Sequence, residues 1–456
     1  MTLSADQILD LAPDPASRKA GQDQAKPAKW QGLGRAGRVI WGEIKGSGAA
    51  PYRTVADPSG PAAKCTCPSR KFPCKHAIGL MLVAAAGAPP EAAAPDWVAA
   101  WIRGRESRAA AAAGRAEEAA DAPAKPVDAR AQDRRRQARD AKVAGALDEL
   151  DLWLRDLMRR GLAAARAEPY AYWDRMAGRL VDGQATGLAR RVRALPGLAA
   201  AGARPGTAPP EAAFGLGVGR LALLVRAARR LDALAPEQAA GMRAAIGFPV
   251  SAEDLAARPG VSDDWAVLAH TVAEEDRLTV RTVWLMGRRT GLPAQVIDFA
   301  AAGAALPLVP SPGQDCAGHL AFHPGDPPLR AVLRDRTFVA GAATLPGRGS
   351  VAQARDAFAA VLARAPWTET WPVCVAGVRL GHLAGGERLA AGDATGCLPL
   401  RADPHLPAVL AVSAGHPVDL FGLYDGFGLQ VLAVGAAGRR FAVPAQDPRT
   451  ILLRAA

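Results

Sequence analysis

The stretch "KCTCPSRKFPCKH", Lys64 to His76, gathers three of the chain's six cysteines and one of its seven histidines. Thiolates and imidazoles are the side chains that bind zinc, and zinc takes four of them in a tetrahedron. The spacing is C-x-C-x6-C-x-H, made by Cys65, Cys67, Cys74 and His76. Residues i and i+2 of an extended chain point to the same side, so Cys65 and Cys67 can converge on one point. Pro68 then turns the chain away, and Pro73 stiffens its return to Cys74. Cys74 and His76 fall at a helix start, where the local field favours a thiolate and its metal complex. Free buried cysteines, or a vicinal redox dithiol, are the competing readings. A set this dense in three cysteines and a histidine is uncommon by chance and favours the metal.

The ligand count speaks to the kind of site. A catalytic zinc keeps an open position beside three protein ligands, whereas a structural zinc is closed by four. Four are available locally here, so the expectation is one structural Zn2+ that serves folding.

The flanking elements must bring these four residues together. "RVIWGEI" (38–44) and "PYRTVAD" (51–57) read as strands joined by the glycine-containing loop "KGSGAA". "AKCTC" reads as a third short strand. "CKHAIGLMLVAAAG" reads as a helix stopped by Gly87 and the Pro89-Pro90 pair. The order expected is β-β-β-α, with the cysteines at the strand end and the helix start. Upstream, Ser4 and Gln7 form a capping pattern for a short helix over 4–11. Downstream, "PDWVAAWIRGRE" (95–106) reads as a short helix.

In this setting the stretch resembles the SWIM zinc finger, a C-x-C, a variable gap, then C-x-H. "CPSRKFPCKH" is similar to the form found in bacterial SWIM zinc finger family proteins. "KWQGLGRAGRVIWGEIKGSGAAPYRTVAD" and the later "LDELDLWLRDLMRRGLA" share that likeness more loosely. The resemblance carries Cys65, Cys67, Cys74 and His76 over as the ligands. It implies a module that binds DNA or proteins and catalyses no reaction. It also implies company with MoxR-type AAA+ ATPases and von Willebrand A domain proteins, as an adaptor in a chaperone-like assembly.

Lys64, Arg70, Lys71 and Lys75 are threaded between the ligands, with Phe72 among them. These cations suit phosphate contacts. They equally suit offsetting the net negative charge of a Cys3His zinc centre. Phe72 suits stacking on a base or a partner, or packing under its own loop. The basic run "DRRRQARDAK" (133–142) reads as a solvated face rather than a nucleic-acid site. "GLGRAG" (32–37) matches G-x-G-x-x-G but precedes a strand instead of opening a helix, so it is no dinucleotide site. No Walker motif occurs. "CAGHLAFH" (316–323) reads as loop residues and not as a second metal site, since no local fourth ligand accompanies it. "EED" (274–276) reads as a hairpin turn.

The chain's 456 residues are too many for one ordinary core, and half of them are hydrophobic. The formal charge of +12 is uneven: residues 1–200 hold 32 Lys+Arg against 22 Asp+Glu, and residues 201–456 hold 24 against 22. A basic first half permits a polyanionic or acidic partner. No run of apolar residues is long enough to span a bilayer, and the N-terminus lacks a secretory pattern. A cytoplasmic location is the expectation.

The fold class expected is multidomain α+β. A small N-terminal β-β-α zinc module fills 1–92, and a short helix and low-complexity linker fill 93–137. An antiparallel helical bundle occupies 138–247, with one helix over 170–195 ended by Pro196. A β-rich α+β region of unassigned role occupies 248–456, in which "PAVLAVSA" (407–414) reads as a strand. The function expected is a non-enzymatic zinc-binding adaptor for protein or nucleic acid. The alternative is a DNA- or RNA-binding protein using the basic SWIM face. An enzyme in the C-terminal half has no motif in its favour.

Overall fold

A computed structural model describes residues 5–456 apart from 11, 13, 14, 47–49, 58–61, 70–72, 88, 106, 108–128, 201–204, 276, 277, 302–311, 340–343, 348, 384–388, 444–453 and 456. Ser4 of the expected cap, most of the expected linker and Asp276 of the acidic turn lie outside the described residues. The chain divides into two compact units. One holds Met1–Ala129 with Glu274–Val280 and Asp298–Val309; the other holds Arg130–Ala273, Arg281–Ile297 and Pro310–Ala456.

In the N-terminal module, α1 (Ala5–Asp10) and α2 (Pro15–Asp23) precede four antiparallel strands. These are β1 (Trp30–Ala36), β2 (Val39–Ile44), β3 (Tyr52–Asp57) and β4 (Ala62–Cys65), paired in that order. The strand missing from the expected β-β-β-α order is β1. Its sequence WQGLGRA has the composition of a loop, and Gly32, at φ +55°, sits in a register shift between Gln31 and Gly34. The helix α3 (Lys75–Ala85) follows. It is buried from His76 to Val83, because α1 and α2 pack against it as well as the sheet. α2 carries no large apolar stripe; it buries Ser17 and Gly21, one turn apart, so hydrophobic periodicity does not reveal it.

The sheet's second face is covered too. Trp41 and Val55 are buried with Val98 of α4 (96–105), and Trp97, Trp101 and Ile102 pack around them. Arg105 of α4 reaches the buried Asp57 carboxylate at 3.1 Å and stacks 4.9 Å from the Trp101 ring. The helix expected at 95–106 is therefore built into the zinc module's core.

The central bundle comprises α5 (Ala129–Arg160), α6 (Leu162–Arg166), α7 (Tyr170–Asp182), α8 (Thr186–Ala200), α9 (Pro210–Ala228) and α10 (Pro236–Ile246). Its core runs from Leu147, Leu150, Leu154 and Leu157 through Trp173, Leu188 and Val192 to Phe214, Leu221 and Met242. Trp173 is 1% exposed and meets Trp153, Tyr172 and Phe214 edge-on at 5.3–5.7 Å. The expected helix over 170–195 is two helices. Gln184 adopts φ +61°, and the Ala185 amide closes back on the Leu180 carbonyl at 2.8 Å, a left-handed helix stop. Pro196 does not end α8 but lies inside it, held by the burial of Leu195 beside it. The basic run 133–142 forms part of α5. Arg134 and Arg136 are exposed, Arg139 bonds the Gly247 carbonyl at 3.1 Å and Asp140 pairs with Arg243 at 2.7 Å.

After α11 (Ala252–Ala257) the chain turns to strands. A closed barrel has the order β5 (Gly260–Glu275), β6 (Leu278–Gly287), β7 (Pro293–Ala301), β9 (Arg330–Val339), β8 (Asp315–Phe322), with β7 and β9 parallel. "CAGHLAFH" is therefore mostly strand β8 and not a loop: it pairs along both edges, with β5 and β9. α12 (Val351–Arg364), opened by a Ser350–Gln353 capping box, then precedes β10 (Trp371–His382), β11 (Leu389–Asp393) and β12 (Gly396–Pro399). α13 (Leu406–Ser413), β13 (Val418–Tyr424), β14 (Leu429–Ala436), β15 (Arg439–Ala442) and β16 (Arg454–Ala455) complete the chain. Seven of these strands form one sheet, in the order β12-β11-β10-β13-β14-β15-β16. "PAVLAVSA" is α13 and not a strand. Pro407 sits in its first turn, where no amide is needed, and Ala414 caps it at φ +47°. An eight-residue apolar run does not by its period separate the two states.

Among the described residues no helix is long and apolar enough to cross a membrane. Trp173→Ala should cost about 3–5 kcal/mol by leaving a cavity at the bundle's centre. Urea denaturation followed by far-UV circular dichroism measures this, and zinc content should stay unchanged.

Candidate metal centre

β4 ends at Cys65, the chain bends through Cys67 and Pro68, and Cys74 is the residue that caps α3. His76 lies in the helix's first turn. The ligand atoms of Cys65, Cys67, Cys74 and His76 all lie within 4.8 Å of one another. Cys65 Sγ and His76 Nδ1 are 3.7 Å apart. Tetrahedral zinc, with bonds of about 2.3 Å to sulfur and about 2.0–2.1 Å to nitrogen, separates its ligand atoms by roughly 3.5–3.8 Å. The donor set and its spacing fit. These residues form one Cys3His site suited to a structural zinc. Cys74 and His76 are buried and the other two half-buried.

The site's shell fixes the ligands. Thr54, fully buried and paired with Cys65 across β3 and β4, donates its hydroxyl to Cys65 Sγ at 3.2 Å. Thr66 anchors the turn between the first two ligands: its hydroxyl accepts from the Arg53 amide at 3.0 Å. The ring of Tyr52 lies 5.3 Å from that of His76. The ring also lies against Gly46, where a Cβ would stand 2.4 Å from it, so a larger residue there would displace the ring.

Without a cation, three clustered sulfurs compete for protons. The Cys74 thiol bonds the Cys65 sulfur and, against the cost of burial, holds Cys65 down at about 3. The same contact, reinforced by burial, pushes Cys74 up. Burial also raises Cys67. Backbone amides of Cys67, Ser69 and Ala77 favour the thiolates of Cys65, Cys67 and Cys74 respectively. The three sulfurs therefore resist ionising together, and a bound cation favours all three as thiolates.

The residues threaded between the ligands separate in space. Lys75 is exposed beside the centre, on the first residue of α3. Lys64 is exposed and pairs with Val55, which lies in the core under α4. By strand alternation it therefore leaves the sheet on the side opposite Cys65. Arg70, Lys71 and Phe72 lie outside the described residues. Elsewhere, Cys316 is buried in β8 while His319 is exposed, so the pair does not converge.

Beside the centre runs an open groove of about 640 Å³. Ser17, Ala20 and Gln24 of α2, Lys45, Gly46 and Tyr52 of the β2–β3 hairpin, and Cys67, Pro68, Ser69, Lys75 and His76 line it. Sequence reasoning did not find this groove. Lys45 and Ser17 carry no motif; the β2–β3 hairpin places Lys45, and the packing of α2 on α3 places Ser17, beside the zinc ligands.

Two family models match the chain. The SWIM zinc finger matches residues 52–85, and the SWIM-associated four-helix bundle domain matches residues 138–246. The first covers β3, β4, the four ligands and α3; the second covers the bundle from within α5 to the end of α10. No curated protein and no solved structure matches.

Purified protein should carry one equivalent of zinc, and Cys65→Ser should take it below about half an equivalent by elemental analysis. Thr54→Val should weaken zinc roughly tenfold in competition with a chelator, because it removes the hydroxyl that supports the Cys65 thiolate. Zinc should be released as pH falls, since protons compete for ligands that bind only when deprotonated.

Proposed function

We propose that this chain, carrying a SWIM zinc finger and its associated helical bundle, is a non-enzymatic adaptor. Its zinc module binds a protein partner, and its bundle and β-rich region dock further components. The observation that carries this reading is the four-ligand centre. Cys65, Cys67, Cys74 and His76 fill a tetrahedron, so the metal has no position left for a substrate. What it supplies is a fixed strand end and helix start. The partner expected is an AAA+ ATPase of the MoxR type or a von Willebrand A domain protein, as the family resemblance implies, in the cytoplasm.

Binding of DNA or RNA is the second reading. Lys64 and Lys75 favour it, because both are exposed and neither has an ion-pair partner among the described residues. Against it, three of the module's arginines are engaged within the module. Arg35 pairs with Glu91 at 3.0 Å, Arg53 with Glu43 at 3.0 Å and Arg105 with Asp57 at 3.1 Å. A phosphate track needs several free cations on one face. Here Lys64 leaves the sheet on the side opposite Cys65, whereas Lys75 stands on α3 beside the ligands.

Affinity capture of the tagged full-length protein tests both readings. Partners that persist after nuclease treatment, with an ATPase among them, are the expected result. Capture that disappears with nuclease, together with oligonucleotide affinity that falls steeply between about 50 and 200 mM salt, would establish the second reading instead.

A further inference from the structure

We propose that the groove beside the zinc centre is where the partner is read, and that it takes an acidic peptide segment. This rests on the adaptor reading and specifies its ligand. Two lysines face into the groove, Lys45 from the β2–β3 hairpin and Lys75 from the start of α3. Both are exposed, and neither makes an ion pair among the described residues. Among the described residues no Asp or Glu lines the groove. The remaining lining mixes the polar Ser17, Gln24 and Ser69 with Ala20, Pro68 and the Tyr52 ring.

The walls are held by structure that does not depend on a ligand. Tyr52 is fixed between Gly46 and His76. Gln24 is tied through its carbonyl, which accepts from Trp30 Nε1 at 2.8 Å. Cys67 and His76 are set by the metal site, so a filled site holds one wall of the groove in place. A preformed, lysine-flanked trough about a few residues long suits side-chain carboxylates on an extended peptide.

The peptide is favoured over nucleic acid by the distribution of charge. Two cations at one groove are a local feature. Among the described cations of the module, Arg35, Arg53 and Arg105 are paired and Lys64 lies on the other face of the sheet.

The test is fluorescence anisotropy with labelled octaglutamate and the full-length, zinc-loaded protein at low salt. Saturable binding is expected, with none to octaglutamine. Lys45→Glu and Lys75→Glu should each weaken it about tenfold, and Lys26→Glu, an equal charge change on an exposed residue outside the groove, should change it by less than about twofold. Zinc content is measured on each variant. Lys75 adjoins two ligands, so Lys45→Glu alone decides the matter if Lys75→Glu loses metal. Absence of octaglutamate binding, or equal weakening by Lys26→Glu, overturns the proposal. So does a DNA duplex that binds more tightly with the same dependence on Lys45. Capture of a partner by wild type and by Lys45→Glu alike sinks the groove while leaving the adaptor standing. Failure of wild type to capture any partner sinks the adaptor, and the octaglutamate titration then still decides what the groove binds.

Discussion

Three sulfurs and an imidazole nitrogen crowd within 4.8 Å of one another, and that crowding is the constraint on which the N-terminal module depends. Thiolates so close repel, and burial adds to the cost of ionising Cys74. A divalent cation resolves both costs at once. Around it the chain needs little else to be defined locally. The strand end delivers Cys65, the helix start delivers Cys74 and His76, and Thr54 supports the sulfur from the neighbouring strand. α3, apolar along most of its length, is then fixed at its first turn by the metal and along its body by α1, α2 and the sheet.

The same geometry sorts the module's charge. A strand's alternation sends Lys64 and Cys65 to opposite faces, and cross-strand and helix-to-strand ion pairs engage Arg53 and Arg105. Among the described residues, a pair of lysines stands beside the metal site at one groove. The excess of basic residues in the first half of the chain is thus not one surface. Part of it is the solvated flank of α5, whose Arg139 and Asp140 are bonded to Gly247 and Arg243.

The elements legible in the sequence were those whose signal is local. The bundle helices show leucines at helical spacing, and the hairpins show alternation broken by glycine or Asp-Gly. The elements that escaped depend on contacts distant in sequence. β1 is a glycine-rich strand that exists because β2 offers it an edge, and Pro90 and Ala92 bond its Arg35 from the other side. α2 has a helical face of Ser17 and Gly21 that only α3 makes into an interface. α13 and α8 show the converse: in the sequence, an apolar run that opens on a proline reads as a strand, and Pro196 reads as a helix end. In α13 the proline occupies the first turn, and in α8 the burial of Leu195 outweighs the bond Pro196 forgoes.

The metal ligands were determined by the sequence alone, because residue type and a spacing of two on either side of a turn are sufficient to specify a tetrahedral site. The fold class followed from the same kind of local pattern. Which lysine faces the metal and which faces away, that Lys45 and Ser17 share a groove with His76, and that the tryptophan helix belongs to the zinc module were decided by tertiary structure. These are relations between segments joined by no sequence period. They arise only when the sheet has two covered faces and two helices cross above it.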